Sequence, residues 1–473
     1  MLFNSLTFLI FFVLVFILHR LMSSWAAQKR LLLLASYLFY AAWNPPYILI
    51  LLFSTMLDWW LARVIWRCED DRRRRKLLML SLLSNLSLLG FFKYGSFLLA
   101  NFQSALATFG ILYQPPAMDI VLPVGISFYT FASLSYTIDV YRREIRGDWS
   151  FLDYALFVSF FPHLVAGPIV RAYQLLPQMT VPRRASADQL GWGLVLLVIG
   201  LWSKVVMADN IFAPIVDWVY EKPAAYGALD TWSAVLAFAG QIYYDFSGYS
   251  LCAIGIALCF GFEFPDNFRH PYAARGFSDF WRRWHISLST WLRDYLYVPL
   301  GGNRSSAWLT QRNLLLTMLI GGLWHGASWM FVLWGGLHGM YLIIERAWRK
   351  RLGGRWTLRR NGFADALLTL GTFLVVALTW IPFRAPDWSV LSQVVSGLFR
   401  WDVPMRLESM ATLVSLVAIA ATVRWHFALR DCSLEAEFSR WGTVAQTATV
   451  AVCLIAIFLC SGGDERAFIY FQF

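Results

Sequence analysis

The sequence predicts an all-α polytopic membrane protein, and three observations carry that reading. Of 473 residues, 58% are hydrophobic and 15% are charged, whereas a soluble chain is about a quarter charged. Mean hydropathy is +0.54. Apolar runs recur along the whole length and are too continuous for the short alternating strands of a membrane β-barrel. Only helices or closed barrels satisfy their backbone polar groups in lipid. The net charge of +11 is read as cytoplasmic loops, so no nucleic-acid partner is implied.

Met1 to Leu18 has neither a basic leader nor a small-residue cleavage site, and is expected to be a retained first helix. His19 to Arg30 reads as a connector carrying Arg20, Lys29 and Arg30. The next apolar run, Leu31 to Trp43, stops at Asn44-Pro45-Pro46, because proline cannot donate to a helical ladder. Tyr47 to Trp66 returns. Asp70-Asp71-Arg72-Arg73-Arg74-Arg75-Lys76 then gives the strongest topology signal. It places that cluster in the cytoplasm, the prolines outside, the 19–30 connector inside and the N-terminus outside.

Leu77 to Phe92 and Phe97 to Leu112 read as two further runs, interrupted at Lys93. In Ile120 to Val140 the small and hydroxyl residues Gly125, Ser127, Thr130, Ser133 and Ser135 suit close helix packing. Phe151 to Ile169 carries His163 at a proline-rich break. Leu190 to Met207 is expected to end near Lys204, Asp209 and Asn210, and Trp232 to Phe260 is long and contains Asp245.

In the basic segment Arg269 to Arg304, Phe277, Trp281, Trp284, Leu288, Trp291 and Tyr295 recur every three or four residues. That spacing predicts one amphipathic helix with His285 on or beside its apolar stripe, pointing inward. Leu314 to Leu323 and Trp329 to Ile344 flank His325, and Arg346 to Arg360 is a second basic cluster. Ala364 to Ile381, Met410 to Trp425 and Val444 to Cys460 complete a count of about eleven spans, with short re-entrant or interfacial helices between them. No repeat or long linker divides the chain, so one membrane domain over residues 1–473 is expected.

Ionisable groups at membrane depth are costly and mark function more often than chance. His325 lies in Gly321-Gly322-Leu323-Trp324-His325-Gly326-Ala327-Ser328. On a helix Gly321, Gly322 and Ser328 share its face, and their missing side chains leave room for a substrate. A neutral imidazole in a dry site is a suitable general base for a hydroxyl or thiol attacking an acyl carbonyl; a packed structural histidine is the alternative. His285 would polarise that carbonyl or relay the proton. Its neighbours Arg282 and Arg283 would hold donor phosphates or anionic lipid headgroups.

Asp245 and Ser247 are weaker candidates for a binding wall, as is Trp324 beside His325; a structural acid is the alternative for Asp245. His338, thirteen residues after His325, would face the opposite side of a continuous helix. The six cysteines form no C-x-x-C pair, and no metal is implied. There is no H-E-x-x-H, P-loop, G-x-S-x-G or dinucleotide fingerprint, and no serine stands out as a nucleophile.

Several stretches are long enough to carry a resemblance. DFWRRWHISLSTWLRDYLYVPLGGNR and GGLWHGASW resemble the membrane-bound O-acyltransferase (MBOAT) family, in the bacterial branch that holds the membrane subunit of alginate O-acetylation. SFYTFASLSYTIDVYR, FFPHLVAGPI, DFSGYS and the terminal FIYFQF resemble the same branch. The resemblance implies the MBOAT fold, a helical bowl around a central tunnel, with the WHG histidine, His325, catalytic and the RRWH histidine, His285, as its second.

It also implies acetyl-CoA as acyl donor with no permanently bound cofactor, a cytoplasmic (inner) membrane location and an exopolysaccharide such as alginate or cellulose as final acceptor. The expected partner is a periplasmic SGNH-type acetyltransferase or another modification subunit. Two other readings compete: a transporter or flippase of polysaccharide export without acyl transfer, and a purely structural anchor. The acyltransferase reading requires the ring at 325 to be reached from both sides of the membrane.

Overall fold

The arrangement of this chain follows from how its apolar helices stop, bend and turn back. The computed structural model describes residues 1–115, 120–304, 306–353, 362–461, 466, 468 and 469, and these divide into two compact units. One comprises Met1–Leu194 and Ala253–Pro265, the other Val195–Cys252 and Asp266–Phe473.

In the first unit, α1 (Leu6–Leu21) starts at Ser5, whose hydroxyl accepts from the Phe8 amide at 3.1 Å. Its end is satisfied by Gln28, which donates to the carbonyls of His19 and Met22. Gln28 already belongs to α2 (Trp25–Ala41), so the expected 19–30 connector shrinks to three residues. Arg20, Lys29 and Arg30 ride on helices, and Lys29 is buried in an ion pair with Asp153. That pair explains how a lysine extends α2 beyond its apolar run.

Helix α3 (Tyr47–Arg67) follows the two prolines. The next two expected runs fuse: α4 (Asp71–Leu89), a π turn at Gly90–Tyr94 and α5 (Gly95–Thr108) form one continuous segment. Lys93 sits in the π turn, which widens the helix without ending it.

Helix α6 (Ile126–Tyr141) is buried on nearly every face, which its short hydroxyl side chains allow. Asp58 of α3, fully buried, accepts from Ser81 Oγ at 2.5 Å and Asn85 Nδ2 at 2.8 Å. Short helices α7 (Phe151–Ser159), α8 (Phe161–Leu164) and α9 (Ala172–Thr180) follow, and α10 begins at Ala187 and runs to Trp202. His163, in α8, is held by the Phe157 carbonyl at 3.0 Å.

In the second unit α10 does not end near Lys204. A ten-residue π-helix, Ser203–Phe212, carries it into α11 (Ala213–Glu221). The wide turn puts residues five apart on one face, so Lys204 Nζ reaches Asp209 at 2.8 Å. Helix α12 (Ala228–Cys259) packs against this segment where Gly200 meets the Gly248 carbonyl and Cys252.

The basic segment resolves into α13 (Phe277–Trp281) and α14 (Ile286–Leu292) with a break between them, followed by a π turn at Arg293–Tyr297. Helices α15 (Ala307–His325) and α16 (Trp329–Leu352) form an antiparallel hairpin. Then come α17 (Gly362–Arg384), α18 (Trp388–Gly397), α19 (Ser409–Ala428), α20 (Leu434–Ser439) and α21 (Thr443–Cys460).

Seven helices or fused helices are long and apolar enough to cross a membrane among the described residues, and α1 is a shorter apolar helix. Of the expected runs, 77–92 and 97–112 are parts of one segment and 190–207 extends into α11. The other helices are short or carry charge. Of the second basic cluster, residues 354–360 lie outside the described residues, as do residues 470–473 of the terminal motif.

Candidate active site

Both singled-out histidines belong to the second unit, and the fold brings them together. The ring centroids of His285 and His325 are 6.3 Å apart. His285 is 0% exposed and His325 3%.

His325 is the last residue of α15. The chain reverses at Gly326–Ser328, and Ser328 caps α16 by accepting from the Met330 amide at 3.2 Å. At Gly322 the room expected for substrate is occupied. A Cβ on Gly322 would overlap the Phe331 carbonyl, one on Gly335 the Met318 carbonyl, and one on Gly326 the Phe331 ring. The glycines let α16 lie directly on α15, as small residues do between membrane helices.

The reversal places aromatic rings around His325. Trp334 stands edge-on at 5.0 Å, Trp324 at 5.1 Å and Phe383 at 5.4 Å. Trp334 is itself stacked on Trp380 at 5.5 Å. His338 is also displaced from its expected position. With the helix broken it lies 4.9 Å from Trp334, behind the His325 cage, and its Nε2 pairs with Thr379 Oγ1 at 3.2 Å.

His285 sits at the break between α13 and α14 with φ +42°, a left-handed conformation that is unusual for a side chain other than glycine. The expected single amphipathic helix is interrupted over residues 282–285, and the inward orientation follows from the turn there instead. Phe246 stands edge-on to the ring at 4.6 Å and Trp324 lies at 5.7 Å. Among the described residues neither ring nitrogen has a hydrogen-bond partner. Buried polar atoms in native structures are nearly always paired, so such an exception asks for a chemical reason.

The sequence reading passed over Asn267, which is 1% exposed. Its carbonyl accepts from the Ile286 amide at 2.9 Å. Its Oδ1 accepts from the Ser287 amide at 3.3 Å and from Ser287 Oγ at 2.8 Å, and its Nδ2 donates to Ser250 Oγ at 3.0 Å. The Arg269 amide donates to the Arg283 carbonyl at 2.9 Å. The chain around 267–269 thus runs beside both flanks of His285. Asparagine in a proline-flanked loop carries no helical period, so only the fold shows it.

The two arginines differ. The side chain of Arg282 is 63% exposed. Arg283 is held inside a charge cluster. Its Nε pairs with Asp279 at 3.0 Å and its Nη1 donates to the Arg430 carbonyl at 2.8 Å, while Arg430 pairs with the other Asp279 oxygen. Burial pushes the Asp279 carboxyl up, but the Arg275 amide, Arg283 and Arg430 outweigh it and hold the group below its ordinary value.

Asp245 lies one residue before Phe246 and is nearly fully buried. Its Oδ1 pairs with Lys204 Nζ at 2.5 Å, and its Oδ2 accepts from the Ile469 amide at 2.9 Å. Next to Ile469, Phe468 is fully buried, 4.6 Å from Tyr249 and 5.7 Å from Phe246. Arg466 pairs with Asp217, which also holds Arg384 at 3.1 Å. Asp245 therefore anchors Ile469, next to the Phe468 ring that packs on Phe246 of the His285 wall. Ser247 is buried nearby and bonds the Tyr243 side chain.

Two buried imidazoles this close are groups of a kind that can accept and release a proton. Comparison with known proteins gives the family. The model of the MBOAT, membrane-bound O-acyltransferase, family matches residues 35–367, which include both histidines. The chain is 36% identical over 499 residues to a probable alginate O-acetylase AlgI of Pseudomonas putida, covering 100% of each chain.

It is 41% identical over 403 residues to a protein of the same description from Pseudomonas aeruginosa, covering 84% of this chain and 75% of that one. To a peptidoglycan O-acetyltransferase of Helicobacter pylori it is 38% identical over 400 residues, covering 78% and 73%. With its multiple apolar helices, its paired histidines and this similarity along the chain, the protein belongs to the membrane-bound O-acyltransferase family and is a multi-pass membrane O-acetyltransferase.

Proposed function

We propose that this chain is the membrane subunit that passes an acetyl group from cytoplasmic acetyl-CoA across a bacterial cytoplasmic membrane for O-acetylation of an extracytoplasmic polysaccharide of the alginate or cellulose type. A periplasmic SGNH-type acetyltransferase, or another subunit of the same modification system, works with it. The N-terminus faces the outside. The alginate O-acetylase relatives support the reaction class and the polysaccharide.

The observation that carries the assignment is the 6.3 Å separation of the His285 and His325 rings in one unit. At that spacing a single thioester carbonyl and its attacking hydroxyl can touch both. His325 takes the proton of the hydroxyl as its oxygen bonds the acetyl carbon. The carbon–sulfur bond breaks, CoA leaves as the thiolate, and the proton passes to sulfur to give the free thiol. His285 orients the carbonyl or relays that proton. General-base assistance of this kind is worth about 10²–10⁴-fold.

Of the two arginines, Arg282, whose exposed side chain also pairs with Asp279 at 3.7 Å, would meet donor phosphates. Both rings are buried among aromatic side chains, so this reading requires a path by which donor and acceptor reach them. Replacing His325 by alanine should abolish polymer acetylation while the protein still accumulates in the membrane. Normal acetyl content in that strain would refute the assignment. Transfer of label from [acetyl-¹⁴C]acetyl-CoA by the purified complex separates this reading from transport alone.

A further inference from the structure

We infer that Asn267 is a positioning residue for His285, holding the imidazole in the left-handed turn from which it faces His325. The inference rests on the functional reading above for its consequence in catalysis, but its structural content stands separately.

A side chain at φ +42° is strained and persists only where surrounding contacts over-determine it. Here Asn267 supplies three of those contacts. The main-chain carbonyl of Asn267 takes the amide of the residue after His285, and its side-chain oxygen takes the amide and hydroxyl of the next. Ser250, donating nothing to the turn itself, receives Nδ2 and fixes which way the amide points. Asn267 is buried, so water cannot replace these bonds without entering the core.

Phe246 and Trp324 give the ring its walls, but neither sets the backbone angle. A change of backbone angle at 285 would redirect the imidazole relative to α14, which begins at the next residue. The side chain of Asn267 therefore does what no apolar residue of equal size can do: it accepts twice from Ser287 while donating to Ser250.

The test uses the full-length protein in native membranes. Asn267→Ala should lower polymer acetylation by about 10²-fold, the scale expected when a catalytic group is misplaced by about 1 Å. Peptide mass spectrometry after diethyl pyrocarbonate treatment should show His285 modified about tenfold faster than in wild type, in keeping with loss of a buried bonded shell. His163, held in the other unit, and His338 should stay as inert as before. Asn267→Asp keeps both acceptor contacts and can take a bond from the Ser250 hydroxyl, so it should restore most of the acetylation and the protection.

If N267A does not accumulate, Ser287→Ala, which removes the hydroxyl bond to Asn267 Oδ1, should raise His285 labelling by about twofold. Unchanged labelling of His285 in N267A, or in S287A where N267A is lost, overturns the inference. So does equal labelling of His163 and His338, which would report general loosening. Full acetylation by His285→Ala would instead refute the catalytic reading of His285, and the labelling result would still decide the role of Asn267.

Discussion

Each histidine of the pair is defined by a different local device. His325 ends a helix, and its ring is caged by Trp324, Trp334 and Phe383. His285 lies in a strained turn with both ring nitrogens lacking partners among the described residues. Alanine at 325 should therefore cost about 10²–10⁴-fold in acetyl transfer, measured as ester content of the polymer at matched protein level.

Trp334→Ala should weaken transfer less, by removing the wall that orients the His325 ring. Its loss from a closely packed core should also lower the thermal midpoint of the detergent-solubilised protein, at about 3–5 kcal/mol for a buried tryptophan. Both histidines were legible in the sequence because charge-capable residues inside apolar text stand out. Asn267 was not, because an asparagine in a loop is ordinary until its partners are known.

Helices carry the next layer of specificity. The α15–α16 hairpin depends on backbones touching at Gly322 and Gly335. Gly322→Val should push the helices apart and reduce the amount of folded protein, since overpacking costs about 1–3 kcal/mol; fluorescence size-exclusion of the solubilised protein reads this directly. Gly322 was visible in the sequence, but as room for a ligand. The facing helix that fills that room could not be seen from one strand of text.

A charge cluster holds the α13–α14 segment. Asp279 is kept below its ordinary value in the folded state, so its ion pairs stabilise the fold fully above the unfolded value of about 3.9. They lose that contribution as pH falls below it. Asp279→Asn should thus lower the unfolding temperature at pH 7, and the difference from wild type should shrink as the pH is taken below about 4. Arg283 was read as a donor-binding candidate because an arginine's partners are invisible in sequence. Asp279 and the Arg430 carbonyl engage it.

For the molecule as a whole, the helical membrane class was legible because hydropathy and the scarcity of charge are sums over contiguous residues. The span count was less so. Lys93 and Lys204 look like stops, yet π turns carry the helix through both. With the Asp70–Lys76 cluster on the cytoplasmic side, reporter fusions placed after Asn44 should be active outside the cytoplasm and fusions after Lys76 inside. The opposite pattern would invert the proposed topology.

The long RRWH and WHG stretches carried the family, and the apolar runs carried the class, since each is written in neighbouring residues. Which way His285 points, what fills the face beside His325 and what Asp245 holds were settled by partners far along the chain: Asn267 twenty residues before Ser287, and Ile469 two hundred and twenty-four after Asp245. Hydrogen bonds and ring contacts form between surfaces brought together by folding, and a one-dimensional order of residues does not state which surfaces those are.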